Sequence, residues 1–302
     1  MKVIFKNGVI LFVLFHCLAI SHSFGQSLGS VEGNQKDSTI FYRQSSLGLS
    51  IPTFRDYATS PLFYSGAGLD FQKVWLKRSD QRERSFAIGA TVNAAFAQIP
   101  ESDYLQANSV STFSQINASY TQLWKVNAWS NASNNVKLGG TFITSQNNRQ
   151  NSYLMNAGLG VENISNVMVT GQIIRDISRK ESRHIHTWFF NKTLNPVKRD
   201  LRFLMNVGIL NFNYRPGYAY AYMSEFNGTQ TTDLSWIMSN YSWKMNGYRF
   251  NTELEYITYM PNGNARSWSY KWDVAHAPGN FESFQMAAHR IVYSYYFQTK
   301  KR

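Results

Sequence analysis

The sequence predicts an all-β chain, a single transmembrane antiparallel β-barrel of about fourteen strands, with twelve as the nearest alternative. Three observations predict it. Apolar and polar residues alternate with period two through most of the chain, the alternating runs are long, and the first residues read as an export signal. Composition agrees: aromatic residues make up 16% and charged residues also 16% of 302, where an average soluble domain is about one-quarter charged. Mean hydropathy is nonetheless −0.34. The missing charge is therefore replaced by Tyr, Phe, Trp, Asn, Ser and Thr rather than by aliphatic residues.

Residues 1–25 predict a cleaved secretory signal peptide and residues 26–302 a single domain. Lys2 and Lys6 form a basic start, Val9 to Ile20 an apolar stretch, and Ser23-Phe24-Gly25 a cleavage site with small residues at its first and last positions, so that Gln26 becomes the new N-terminus. About a dozen apolar residues are too few to span a bilayer as a helix, which needs roughly 20. Cleavage removes the single cysteine, Cys17, which excludes disulfide frameworks and thiol chemistry. Loss of Lys2 and Lys6 lowers the net charge from +12 to +10, a basicity scattered over turns such as "KRSDQRER" and the tail "KKR".

The strands follow from alternation bounded by turn signals. In "SFAIGATVNAAFAQI", Phe86, Ile88, Ala90, Val92, Ala94 and Phe96 share one face and Ser85, Gly89, Thr91, Asn93 and Ala95 the other. Similar rows run through Ile116 to Trp124, Val136 to Phe142, Tyr153 to Val161, Leu201 to Ile209, Trp268 to Val274 and Ile291 to Phe297. Between them lie "IPESD", "SNASNN", "SQNNRQN", "ENISN", "LNPVKRD", "NYRPG", "FNGTQ", "MPNGN" and "HAPGN". The predicted strands are 40–52, 66–77, 85–98, 109–126, 135–146, 151–162, 166–177, 184–193, 200–213, 216–225, 231–243, 247–260, 265–275 and 283–298. Strands in soluble sheets usually run about 5 to 6 residues, whereas a tilted membrane strand needs about 9 to 11. Most segments here meet the longer figure.

A membrane barrel turns its apolar row outward to lipid and its polar row inward. Trp124, Trp188, Trp236, Trp243, Trp268 and Trp272 fall near predicted rims, where an amphipathic ring suits the water–lipid boundary. The opposite parity carries Asp70 and Gln72, Gln115 and Asn117, Lys137 and Thr141, Asn156 and Glu162, Gln172 and Asp176, Arg202 and Asn206, and Lys271 and Asp273. Lys73 breaks the pattern by sharing the apolar parity of Leu69, Phe71 and Trp75, which a bulge or a snorkelling stem would accommodate. In "RFNTELEYITYM", Phe250, Leu254, Tyr256 and Met260 are read as lipid-facing, and Glu253 and Glu255 as facing the lumen.

With its apparent signal peptide, long alternating strands and final run "RIVYSYYF", the chain resembles the Gram-negative outer-membrane β-barrels. The resemblance covers the whole chain after the signal and specifies a class. It implies outer-membrane lipid and the barrel-assembly machinery as partners, with assembly signalled by the aromatic-ended last strand. Phe297 departs from the usual pattern in being followed by "QTKKR". An even strand number places both termini in the periplasm, "TFRDYATSPLFYSG" in an extracellular loop and "RSDQRER" in a periplasmic turn.

The candidate lumen-lining residues are Glu253, Glu255, Lys271, Asp273, Arg290, Arg202 and Asp70. A structural role for Glu253 and Glu255, tied to cations such as Lys271 and Arg290, is favoured over solute binding. His184 and His186 share a strand face, and a metal would need a third ligand such as His289 or Asp176; a polar rim pair is the simpler reading, and no metal or other cofactor is expected. Hydrolysis by a histidine-activated serine is known in the class, but no Gly-x-Ser-x-Gly elbow occurs, and Ser178 and Ser182 sit in the basic stretch "SRKESRH", so an enzyme is not the expectation. Basic and aromatic residues do not interleave in one patch, which argues against nucleic acid. What remains is a channel or transporter for small solutes, a closed barrel that scaffolds a surface, secretion or motility complex, or, third, a barrel-embedded lipid hydrolase.

Overall fold

Alternating residues leave half of each strand's side chains apolar and all of its backbone groups in need of partners, and a closed ring meets both demands. The computed structural model describes residues 39–57, 60–97, 109–151, 159–188, 190–216, 241–278 and 283–301. Its strands are β1 (Ile40–Asp56), β2 (Ser60–Arg78), β3 (Arg82–Ala97), β4 (Ser109–Lys125), β5 (Asn134–Gln150), β6 (Leu159–Asp176), β7 (Arg183–Thr187), β8 (Phe190–Leu194), β9 (Arg199–Pro216), β10 (Tyr241–Lys244), β11 (Tyr248–Tyr259), β12 (Ala265–Ala277) and β13 (Phe284–Lys301). β1 to β6 pair antiparallel in sequence order, β6 pairs with β9, β9 with β11, and β11, β12 and β13 lead back to β1. Among the described residues the wall therefore has ten strands.

That count corrects the fourteen, or twelve, read from the alternation, and each discrepancy has a physical origin. Of predicted strand 151–162, residues 152–158 lie outside the described residues, and Leu159 onward runs without a break into predicted strand 166–177 as one strand, β6. The "NIS" taken for a turn lies within it, its polar groups satisfied sideways: Ser165 Oγ donates to Thr144 Oγ1 at 2.8 Å and Asn163 Nδ2 to the same oxygen at 3.1 Å. Predicted strand 184–193 is a separate two-stranded hairpin, β7–β8, outside the wall, because β6 already pairs with β9 from Asn163 to Asp176. Of the predicted strands 216–225 and 231–243, residues 217–240 lie outside the described residues. Tyr241–Lys244 forms β10, which pairs with the same edge of β9 as β11 and continues it.

Between β10 and β11 the chain bends at Gly247, whose φ of 91° only glycine adopts readily. Its carbonyl accepts from Asn211 Nδ2 at 2.8 Å. Opposite, β9 carries a bulge: Met168 pairs with Gly208 and Val167 with Leu210, so Ile209 is extra and the inward parity changes from even to odd. Arg215 turns inward as a result. The predicted "TFRDYATSPLFYSG" loop is likewise corrected, because β1 runs to Asp56 and β2 begins at Ser60, leaving only residues 57–59 between them.

The polarity of the wall is that of a membrane barrel. Leu49 is 61% exposed on the outside while the next residue, Ser50, is 1% exposed inside. Leu47, Ile51, Phe71, Ile88, Val92 and Ile116 extend the exposed apolar band. At the end of the barrel where Ile40 pairs with Lys301, called here the terminal end, Trp75, Phe86, Trp124, Trp268 and Phe297 project outward; Phe63, Phe96 and Tyr248 do so toward the other end. The twelve-residue step from Phe63 to Trp75 on β2 spans about 28 Å along the barrel axis at ~3.3 Å per residue and ~45° tilt, close to the ~25 Å apolar band of such barrels. Lys73 is on this outer face without a bulge, its Nζ 6.0 Å from the centre of the Trp75 ring. Trp188 instead follows β7 and is 98% exposed, and Trp236 lies outside the described residues.

Inside, two apolar clusters flank a polar layer. Toward the far end Phe54 from β1, Phe113 from β4 and Phe284 from β13 converge, with ring centres 4.9 to 6.5 Å apart. At the terminal end Tyr42, Val74, Leu76, Ile257 and Tyr296 cluster.

Candidate functional site

Period two forces every charged side chain of inward parity into the barrel, where only another charge or a dipole can replace its water. Inside the terminal rim, where Lys125 pairs with Asp80 of the β2–β3 turn, eight basic residues (Arg78, Lys137, Arg149, Arg202, Arg215, Arg249, Lys271, Arg290) and eight acidic ones (Asp56, Asp70, Glu83, Glu162, Asp200, Glu253, Glu255, Asp273) occupy the interior among the described residues. The signs balance. Desolvating an unpaired ion costs several kcal/mol even after relaxation, so this balance is a condition of folding.

The seven candidate residues all have their side chains inside and belong to this network. Arg202 Nη2 lies 2.9 Å from Glu253 Oε2 and 2.7 Å from Glu255 Oε2. Glu255 also accepts from Ser267 Oγ and Tyr296 OH, each at 2.5 Å, and is fully buried. Lys271 lies 3.4 Å from Glu253 and donates to Gln72 Oε1 at 2.7 Å. Asp273 receives Arg249 through two nitrogens at 3.0 and 2.7 Å. Arg290 sits between Asp70 at 3.6 Å and Asp273 at 3.8 Å, so it serves those carboxylates and not Glu253. Asp70 also accepts from Thr91 Oγ1 at 2.8 Å.

Many contacts cross the bore. Arg249 on β11 donates to Ser145 on β5 at 2.7 Å, and Arg290 on β13 to Gln115 on β4 at 3.0 Å. Glu83 on β3 gathers Arg78 at 2.7 Å, Gln172 at 3.2 Å, Lys137 at 3.6 Å and Arg202 at 3.8 Å, contacts that bring in β2, β6, β5 and β9. Toward the far end Asp56 on β1 takes Arg149 at 2.5 Å and Arg215 at 2.9 Å, and both arginines also reach Glu162 at 3.3 Å.

Sequence reasoning missed part of this network. Asp56, Arg78, Glu83, Arg149 and Arg215 lie in stretches read as loops or turns. The available signal was parity: from Gln44 to Asp56 every even residue of β1 is buried, so the strand never stopped alternating.

What space remains is divided. A cavity of about 170 Å3 among Gln72, Asn117, Arg249 and Lys271 has room for about half a dozen waters at ~30 Å3 each. A larger cavity of about 710 Å3 lies at the terminal end, lined by Tyr42, Arg78, Lys125, Lys137, Asp200 and Tyr259. Tyr259 OH donates to Asp200 at 2.8 Å on its wall.

The histidines are not brought together. His184 and His186 are on β7, where His184 Nδ1 pairs with Thr193 Oγ1 at 2.8 Å. His289 projects outward from β13, with Nδ1 2.6 Å from Tyr270 OH. No group of three metal-capable side chains occurs among the described residues. Ser178 Oγ accepts from the Arg199 backbone N–H at 3.0 Å.

Set beside solved structures, the chain is similar to the transport unit of the autotransporter AIDA-I from Escherichia coli, at 6% identity and TM-score 0.34 over 90% of this chain and 94% of that one. It is similar to the COG4313 outer membrane channel from Pseudomonas putida F1, at 8% identity and TM-score 0.33 over 89% of this chain and 100% of the other. It is also similar to the Pseudomonas putida toluene transporter TodX, at 6% identity and TM-score 0.27 over 87% and 89%. No family model and no curated protein matches. The likeness is one of class, outer-membrane β-barrel, and not of family. At these values it adds nothing to the argument, and the barrel rests on its own strand pairings.

Proposed function

We propose that the chain is an outer-membrane β-barrel that is closed at rest and serves as an anchor or scaffold within a membrane complex, rather than as an open pore for solutes. The observation that carries this reading is the set of contacts made by Glu83, which together with Arg78, Lys137, Arg202 and Gln172 ties five strands across the bore. An open pore keeps its charged groups on its walls around continuous water; here cations and carboxylates are spent on one another. The outer location, with both termini on the periplasmic side, is part of the proposal. So is assembly by the barrel-assembly machinery, with outer-membrane lipid around the wall.

Planar-bilayer recording of the refolded full-length protein tests it. Stable bilayers with no stepwise current across pH and voltage support a closed anchor, and nanosiemens-scale steps overturn it. A gated path for small solutes is the second reading, favoured by the cavities of about 710 and 170 Å3 on the two sides of the Glu83 cluster. It requires current from the native protein when an external stimulus is applied.

A further inference from the structure

We propose that the outer wall at the terminal end, where Arg43, Lys73, Lys77, Arg82 and Arg84 project from β1, β2 and β3, is a docking surface for the phosphate headgroups of anionic phospholipids. The proposal rests on the membrane-barrel reading and goes beyond it by naming the lipid and the place.

The first observation is where the charge lies. With the interior balanced, the net positive charge has to be carried elsewhere. Among the residues whose side chains are described, every Lys or Arg outside the interior sits toward the terminal end except Arg55. The second is register. Lys77 on β2 stands directly opposite Arg84 on β3, and both have outward parity. Side chains so placed have Cβ atoms about 5 Å apart, and like charges there repel. One step along the same two strands, the inward pair Arg78 and Glu83 is joined at 2.7 Å. Thus the register that gives an ion pair inside gives two bare cations outside. Arg43 faces Trp75, between Lys73 and Lys77 on β2, and Arg82 follows on the Arg84 strand. Among the described residues none of the five has a carboxylate partner.

Depth selects the partner. Lys77 Nζ lies 5.3 Å from the centre of the Phe41 ring and Lys73 Nζ 6.0 Å from that of Trp75. The ammonium groups thus stand beside the aromatic belt, at the level of lipid headgroups. A phosphodiester placed between Lys77 and Arg84 relieves their repulsion, and its acyl chains continue over the apolar face of Phe86 and Ile88. A zwitterionic lipid brings its own cation and relieves less.

The test is native mass spectrometry of the full-length protein, refolded in detergent and offered equimolar phosphatidylglycerol and phosphatidylcholine of matched chains. The expected result is preferential retention of phosphatidylglycerol, by about fivefold for each neighbouring cation that engages it. That preference should fall at least about fivefold in the Lys77→Gln, Arg84→Gln double variant and stay unchanged in Arg55→Gln. Salt should erode the preference in the unaltered protein, a reading that needs no variant. Equal retention of the two lipids overturns the proposal, as does a preference that survives the double variant. Displacement of phosphatidylglycerol by equimolar inorganic phosphate points to a free-anion site and also overturns it. A protein that retains neither lipid and stays monomeric without detergent fails the membrane reading itself, which is a distinguishable result.

Discussion

Arg202 on β9 stands 3.8 Å from Glu83 on β3, four strands away around the ten-strand ring, while holding Glu253 and Glu255 of the adjacent β11 at 2.9 and 2.7 Å. One guanidinium therefore links the near wall to the far wall. Its position follows from strand parity, and its consequence among the described residues is a bore crossed by ion pairs.

Removing the carboxylate at the centre of that link should be costly. Glu83→Gln leaves Arg78, Lys137 and Arg202 with one carboxylate fewer in a buried setting, and breaking a buried ion pair from one side costs about 3–5 kcal/mol. Urea unfolding in lipid vesicles should show a loss of that order, and an unchanged midpoint would mean that the cluster is already hydrated.

Asp273 offers a contrast between breaking and replacing. Asp273→Asn strands Arg249, whose two nitrogens it binds at 3.0 and 2.7 Å, and should destabilise by several kcal/mol. The double variant Arg249→Met with Asp273→Leu removes both charges and should recover most of that loss, because apolar substitutes for a buried pair are often neutral or better. Equal destabilisation of the single and double variants in the same unfolding assay would refute this account of the pair.

The outward face has its own test. Val92 is 53% exposed in the apolar band, and Val92→Arg should cost about 2–4 kcal/mol near the bilayer midplane. The same change in a water-soluble barrel would cost little, so equilibrium folding into phosphatidylcholine vesicles separates the two.

The class was legible in the sequence because parity survives any error in strand ends: Leu49 and Ser50 face opposite ways wherever β1 begins. The strand number was not legible, because turn chemistry and polar inward chemistry use the same residues. Asn163 and Ser165 look like a turn until Thr144 on the neighbouring strand is seen beside them. Of the network, Glu253, Glu255 and Lys271 were readable from alternation on adjacent strands. The links of Arg202 to Glu83 and of Arg149 to Asp56 were not, since they join strands far apart in the chain and depend on ring closure.

The hairpin β7–β8 should be dispensable to the wall. Ile177 N–H donates to the Arg199 carbonyl at 2.9 Å and Arg179 bridges to Val197, so the chain ends flanking the hairpin already lie side by side. Replacing residues 181–195 by a short Gly-Asn turn should leave a barrel with unchanged heat-modifiable gel mobility. Loss of folding would indicate that the segment belongs to the wall after all.

The most direct test of the central claim, a bore closed by its own side chains, is single-channel recording of the refolded protein in planar bilayers alongside Glu83→Gln. The native protein should give no stepwise current under any voltage at neutral pH, with leak steps appearing only in the variant. Nanosiemens-scale steps from the native protein would contradict it.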